Sequence, residues 1–229
     1  MTSDSDLEMK ALEVSLSRRF RVVDSTVSIG ERELSILHPA SAEDLINEQD
    51  FERDERLPYW AELWPSACVL AERMLGLDGG GRSLLELGCG AGLVTTCASL
   101  AGFAVTASDY YEDAVRFARL NAWRNGAPIA GGMMLDWRHL PDRLGRYDMV
   151  IASDVLYERP YGELVSHVIG STLARRGTAL VADPGRVGRE SFLDALSGHG
   201  LALRSHADFP FEDGEIRQAI GVFELIRTS

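Results

Sequence analysis

Short, nearly unbroken apolar runs recur through the second part of the chain: LLEL at 84–87, FAVTAS at 103–108, Ile129–Leu135, YDMVIA at 147–152 and GTALVA at 177–182. Runs of this length bounded by turn residues suit strands of a parallel sheet that is covered on both faces. Helically spaced stretches lie between them: Gly92–Leu100, a run from Glu112 to Trp123, Tyr161–Ala174 and Glu190–Ser197. Strand and helix in alternation predict a doubly wound α/β sheet. The last two runs, Leu201–Ala207 and Gln218–Ile226, have only the acidic turn Glu212-Asp213-Gly214-Glu215 between them. A connection that short predicts an antiparallel pair at the sheet edge.

The first part of the chain reads differently. Leu7, Ala11, Val14 and Leu16 form a partial stripe, so residues 7–19 predict a short helix. FRVVDSTVSIGERELSIL then alternates apolar and polar positions around Gly30-Glu31-Arg32, which predicts two or three short strands in a hairpin. His38-Pro39 ends it, because proline cannot continue a ladder. Ser41, with Asp44 three residues on, predicts a helix start. Pro65 opens another helix, with apolar positions 67, 70, 71, 74 and 75. Just before it, Tyr59, Trp60 and Trp64 crowd around Glu62. Trp64 precedes a helix N-terminus, a natural place for an anion; core packing is the simpler use of a tryptophan.

The chemistry concentrates at Leu84–Thr95, LLELGCGAGLVT. Gly88, Gly90 and Gly92 alternate after an apolar strand, and glycines there let the backbone turn sharply and approach a ligand. A dinucleotide fingerprint needs its third glycine at position 93, which is Leu93. Glu86 stands at the strand's carboxyl end, and an acid facing the turn suits a cationic ligand better than a pyrophosphate. Cys89 is a small side chain that fits the turn as packing rather than as a nucleophile. Asp109 ends the second strand roughly 20 residues past the glycines, placed to accept from ribose hydroxyls or to cap the next helix. Asp136 can accept from an adenine amino group, and Trp137 can stack on its ring. Ser153, Asp154 and Tyr157 follow the fourth strand and face the same crevice.

Composition adds boundaries. The 229 residues suffice for one α/β domain with a small extension, here divided as 1–54 and 55–229. No apolar run approaches the roughly 20 residues of a membrane span, and MTSDSDLEMK lacks the basic and apolar regions of a signal peptide, so a cytoplasmic protein is expected. A net charge of −12 repels phosphate backbones and fits a basic, lysine-bearing partner, or merely aids solubility. Cys68, Cys89 and Cys97 imply no disulfide framework, and the five histidines have no metal-ligand spacing.

The glycine turn resembles motif I of the class I S-adenosylmethionine (SAM) dependent methyltransferases. The resemblance covers about residues 55–229 and implies their Rossmann-like, mostly parallel seven-stranded sheet with an antiparallel last strand. The N-terminal helix and hairpin are extra to it. More narrowly, ELWPSA at 62–67, Leu-Asp-Trp at 135–137 and Asp-x-x-Tyr at 154–157 are similar to the protein-lysine methyltransferase branch. So are Asp-Pro-Gly-Arg at 183–186 and Val-Phe-Glu-Leu at 222–225. The flavoprotein-directed members resemble these last two most, but Leu-Trp-Pro-Ser-Ala departs from their Gly-Gly version.

That family implies SAM as cofactor and S-adenosylhomocysteine as product. It implies cofactor contacts from Trp64 at the methionine end, with Glu86, Gly88, Cys89, Gly90, Asp109, Tyr110, Asp136, Trp137 and Ser153. It implies methyl transfer beside Asp154 and Tyr157, which makes these the expected catalytic pair. The expected enzyme N-methylates a lysine of a protein substrate and is monomeric, with no nucleic acid, membrane or metal involved. A small-molecule N- or O-methyltransferase, or a SAM-binding module without catalysis, is the alternative; Leu93 disfavours a nicotinamide dehydrogenase.

Overall fold

The computed structural model describes residues 4–42, 45 and 58–228. Helix α1 (Asp4–Arg19) leads into strands β1 (Val22–Ile29) and β2 (Arg32–Pro39), which form a two-stranded antiparallel sheet of their own. Ile29 pairs with Arg32, so the turn is Gly30-Glu31, with Gly30 at φ +57°. The helix expected to start at Ser41 runs into residues 43–44, which lie outside the described residues. After a 3-10 turn at Tyr59–Ala61 come α2 (Pro65–Leu75), β3 (Ser83–Leu87), α3 (Leu93–Leu100), β4 (Ala104–Asp109), α4 (Glu112–Arg124) and β5 (Gly131–Met134). The chain continues through β6 (Tyr147–Ser153), α5 (Arg159–Thr172), β7 (Leu173–Asp183) and α6 (Arg189–Ala195). It ends on the ribbon β8 (Leu201–Asp213) and β9 (Ile216–Arg227).

Seven strands form the main sheet in the order β5-β4-β3-β6-β7-β9-β8. Neighbours from β5 to β7 are parallel, and β9 runs antiparallel to both β7 and β8. Strands β3, β4 and β5 step one way from the centre while β6 and β7 step the other. The order therefore reverses between β3 and β6, and the carboxyl ends of strands at such a switch point face an open crevice. Alternate residues go to opposite faces: Leu84, Ile151, Leu180 and Val222 pack under α2 and α3, while Leu85, Val150, Val181 and Phe223 pack under α5 and α6. Burial on both faces is why these strands read as unbroken apolar runs rather than as alternation.

Three elements depart from the sequence-based expectation. Strand β7 starts at Leu173 rather than Gly177, because the chain enters it directly from α5 and bulges between its pairings to Tyr147 and Met149. Strands β8 and β9 extend beyond the expected segments to Asp213 and Ile216. In the added stretch of β8, Phe209 and Phe211 are half-buried against the core, with Pro210 between them arguing against a strand in the sequence; the added residues of β9, Ile216 and Arg217, are exposed. Among the described residues no helix is long and apolar enough to cross a membrane.

The N-terminal hairpin joins the main body through two side chains that act as a strand. Asn121 is fully buried on α4; its Oδ1 accepts from the Leu37 N–H at 2.8 Å, and its Nδ2 donates to the Leu37 carbonyl at 2.7 Å and to the Ala91 carbonyl at 2.8 Å. One turn on, Asn125 repeats the pattern at Ser35, accepting at 3.1 Å and donating at 2.9 Å. Residues 35 and 37 point the same way along β2, so helical i, i+4 spacing meets strand i, i+2 spacing. Leu16, Leu37, Phe117 and Leu120 fill the joint beneath. Asn121→Leu would leave one N–H and two carbonyls buried without partners. It is expected to cost about 3 kcal/mol in urea unfolding. An unchanged unfolding midpoint would refute the role given to Asn121.

Candidate active site

A cleft opens at the switch point, with an empty volume of about 990 Å³ including its solvent-facing mouth. All twelve residues singled out from sequence line it: Trp64, Glu86, Gly88, Cys89, Gly90, Asp109, Tyr110, Asp136, Trp137, Ser153, Asp154 and Tyr157. They come from five separate segments, brought together because β3, β4, β5 and β6 end side by side.

The floor is the glycine turn after β3. Gly92 has φ +85°, and a Cβ there would stand 2.3 Å from the Ala118 Cα, so α3 and α4 approach only because the side chain is absent. A Cβ on Gly88 would meet Val155 at 2.9 Å and lie 3.8 Å from the Trp137 ring. Two acids lie beneath. Glu86, on the α3-facing side of β3, is 1% exposed and accepts from the Thr95 hydroxyl. Burial, with Asp109 close by, pushes its pKa up to about 8 against the pull of the Thr95 bond. Asp109 accepts from the Gly90 N–H at 3.0 Å and the Tyr111 N–H at 3.1 Å. Burial raises it to about 6, with those amides and that of Tyr110 opposing. The sequence reading had Glu86 as a carboxylate; in the folded chain it holds its proton at neutral pH.

Asp136 and Trp137 follow β5. Asp136 is gripped by Arg138, through Nε at 2.9 Å and Nη2 at 3.0 Å, and lies 3.2 Å from the His139 ring. Burial works against the charge, yet these bonds hold its carboxyl well below the ordinary range. The indole N–H of Trp137 is buried with no hydrogen-bond partner among the described residues. Cys89 is buried and free, and burial pushes its thiol well above its usual value, which fits packing rather than nucleophilic duty.

The mouth is aromatic. Tyr157 meets Tyr161 with ring centroids 4.9 Å apart and Tyr59 at 5.5 Å, and Tyr59 meets Trp64 at 6.0 Å, all edge-to-face. Burial, and then Tyr161, push the Tyr157 phenol far above its ordinary value, so it stays protonated. Asp154 adopts φ +57°, the one non-glycine positive φ among the described residues. It caps no helix; α5 begins at Arg159 with Glu158 as its cap. Its oxygens instead accept from Ser66 Oγ at 3.0 Å and Arg186 Nε at 2.6 Å. The Arg186 guanidinium also lies over the Trp64 ring, 5.2 Å from its centroid. Fully buried Asp183 holds the next arginine, Arg189, at 2.7 Å and accepts from the Gly185 and Arg186 amides.

Several of these groups carry no isolated sequence signal. Thr95 and Ser66 are single hydroxyls on helices. Tyr161 is a single ring, whereas Tyr59 belongs to the aromatic cluster noted before α2. Arg186 sits inside the noted Asp-Pro-Gly-Arg stretch, but only the return of β7 beside β6 brings it to Asp154.

Comparison with known proteins agrees with this architecture. A family profile described as lysine methyltransferase matches residues 49–199. The electron transfer flavoprotein beta subunit lysine methyltransferase of Danio rerio is 29% identical over 150 residues, covering 63% of this chain and 57% of that protein. The protein-lysine methyltransferase METTL21E of Mus musculus is 32% identical over 122 residues, 46% of this chain and 48% of that one. A ubiquinone biosynthesis O-methyltransferase of Bordetella parapertussis is 29% identical over 138 residues, 54% of this chain and 51% of that one. The chain thus spans about half the length of the curated relatives it matches. In fold it is similar to the magnesium protoporphyrin IX methyltransferase of Synechocystis PCC 6803, solved with bound SAM, at a TM-score of 0.57 and 22% identity. That match covers 81% of this chain and 94% of the other. The chain belongs to the lysine methyltransferase family and, with it, to the class I, seven-stranded, SAM-dependent methyltransferases.

Proposed function

We propose that this protein transfers the methyl group of SAM to a lysine side chain of a protein substrate. The observation that carries the reading is the pair of buried acids, Glu86 and Asp109, under the glycine turn, with no cation beside them among the described residues. Buried acids of this kind are costly unless a positive ligand arrives. The residues fit such a ligand: two acceptors, a free indole N–H at Trp137 and an aromatic mouth. When bound, SAM supplies a sulfonium-activated methyl group. Glu86 and the glycine turn would hold its amino-acid end together with Trp64. Asp109 and Tyr110 would hold the ribose, and Asp136 and Trp137 the adenine, with Cys89 and Ser153 as walls.

At the transfer end, Tyr157 stays protonated and gives a polar edge and a ring face to a cation or amine. Asp154 is neutralised by Arg186 and orients Ser66, Arg186 and through it Trp64; it is no free base. The lysine therefore loses its proton to water as the aromatic walls desolvate it, which lowers its pKa from about 10.4. The lysine-modifying relatives support a protein acceptor. The O-methyltransferase relatives favour a second reading, a small-molecule acceptor on the same scaffold. Three free cysteines suit a reducing cytoplasm, the location we propose, with a monomer as the working state.

Tritiated SAM incubated with lysate from a deletion strain should label a discrete protein band; label only in the small-molecule fraction would favour the second reading. Calorimetry should register SAM and not NAD, and the reverse would sink the assignment. SAM affinity should also depend on pH. Glu86 holds a proton below about 8 and Asp109 below about 6, and a cation favours the ionised forms. Affinity should therefore rise from pH 5.5 to 7.5, by up to about tenfold per pH unit, and flatten in Glu86→Gln. A pH-independent dissociation constant in the wild type would refute this linkage. Asp154→Asn tolerates the left-handed backbone but unpairs Arg186. It is expected to lower kcat about a hundredfold with SAM affinity nearly unchanged, read by steady-state kinetics and calorimetry.

A further inference from the structure

Among the described residues, five carboxyl side chains line the cleft: Glu62, Glu86, Asp109, Asp136 and Asp154. Four are already engaged, Glu86 by Thr95, Asp109 by backbone amides, Asp136 by Arg138, and Asp154 by Ser66 and Arg186. Glu62 differs. It is exposed, and its carboxylate has no hydrogen bond or ion pair among the described residues. It follows the 3-10 turn Tyr59–Ala61 in extended conformation and stands two residues before Trp64. The aromatic rim that Tyr59 builds with Trp64 and Tyr157 is next to it.

We propose that Glu62 is the specificity-determining residue that captures the acceptor's ammonium at the mouth of the cleft. This rests on the lysine-acceptor reading above. In solution a lysine is charged, and an unpaired carboxylate at the rim attracts it at long range. Past the rim the walls are tyrosine and tryptophan, and the remaining acids are ion-paired, protonated or held by backbone amides. The interior therefore disfavours the charged form. Capture and proton loss are separated in space: Glu62 holds the cation outside, and the neutral amine advances.

The test uses the full chain saturated with S-adenosylhomocysteine. Binding of a fluorescent hexalysine peptide and of its Nε-acetylated form is followed by anisotropy at about 50 mM and about 500 mM NaCl. Wild type should prefer the lysine peptide, and salt should weaken that preference. Glu62→Gln should weaken binding about three- to tenfold and remove most of the salt dependence, and Glu62→Asp should restore both. Glu31→Gln, exposed in the β1–β2 turn, should change neither. In turnover of the same peptide, Glu62→Gln should raise KM by that factor and leave kcat within about twofold. An unaltered salt slope in Glu62→Gln, no preference over the acetylated peptide in wild type, or weakened SAM binding in the variant would each overturn the proposal. Wild type that binds SAM but labels no lysine in any protein would overturn the lysine-acceptor reading alone, since the anisotropy arm still decides the role of Glu62.

Discussion

Two carboxyl groups stand buried beneath a turn of glycines, and the rest of the structure is arranged around that fact. Glu86 and Asp109 are on adjacent parallel strands, and each has lost nearly all contact with water. Folding them there costs free energy that hydrogen bonds from Thr95 and from the backbone amides offset only in part, as their raised pKa values register. The glycines are needed because any side chain at Gly92 would drive α4 off α3. Under the proposed function that cost becomes useful once a cation is present, since the same two groups would bind it in a medium that screens little.

The mouth is rigid and aromatic where the floor is acidic. Asp154 sits in a left-handed backbone conformation that a residue other than glycine adopts only when its surroundings hold it. Ser66 from α2 and Arg186 from beyond β7 supply that hold, and Arg186 in turn covers one face of Trp64. One ion pair thereby ties three segments that are distant in sequence. Edge-to-face packing of Tyr59, Tyr157 and Tyr161 continues the wall. The result is a narrow aromatic passage whose charges are cancelled internally, except at Glu62.

The N-terminal helix and hairpin reach the site indirectly. Asn121 bonds both the β2 edge and the Ala91 carbonyl within the glycine turn. Trp60 continues this connection: its ring packs on Phe20, Phe117 and Tyr111, and its carbonyl lies 3.1 Å from where a Gly90 Cβ would be. The hairpin thus braces the turn from behind, and the cleft remains open on the other side.

Local sequence determined the elements and the cast of the site. Unbroken apolar runs identified the buried strands, alternating glycines marked the turn at the floor of the cleft, and acids at strand ends pointed to Glu86, Asp109 and Asp136, which line it. These signals are legible because backbone geometry and two-faced burial act within a few residues of one another. The length of β7 and of the β8–β9 ribbon was not legible: the start of β7 is set by its pairing to Tyr147, and Pro210 interrupts the strand signal of β8 although Phe209 and Phe211 pack on the core. Nor were the partners that set each charge: Thr95 on Glu86, Arg186 on Asp154, Arg138 and His139 on Asp136, and Asn121 under the hairpin. Which hydroxyl, guanidinium or amide ends beside which acid depends on strand order and helix packing across up to about ninety residues of chain. Only the tertiary structure decides that, because protonation and pairing follow from distance and burial rather than from neighbours in sequence.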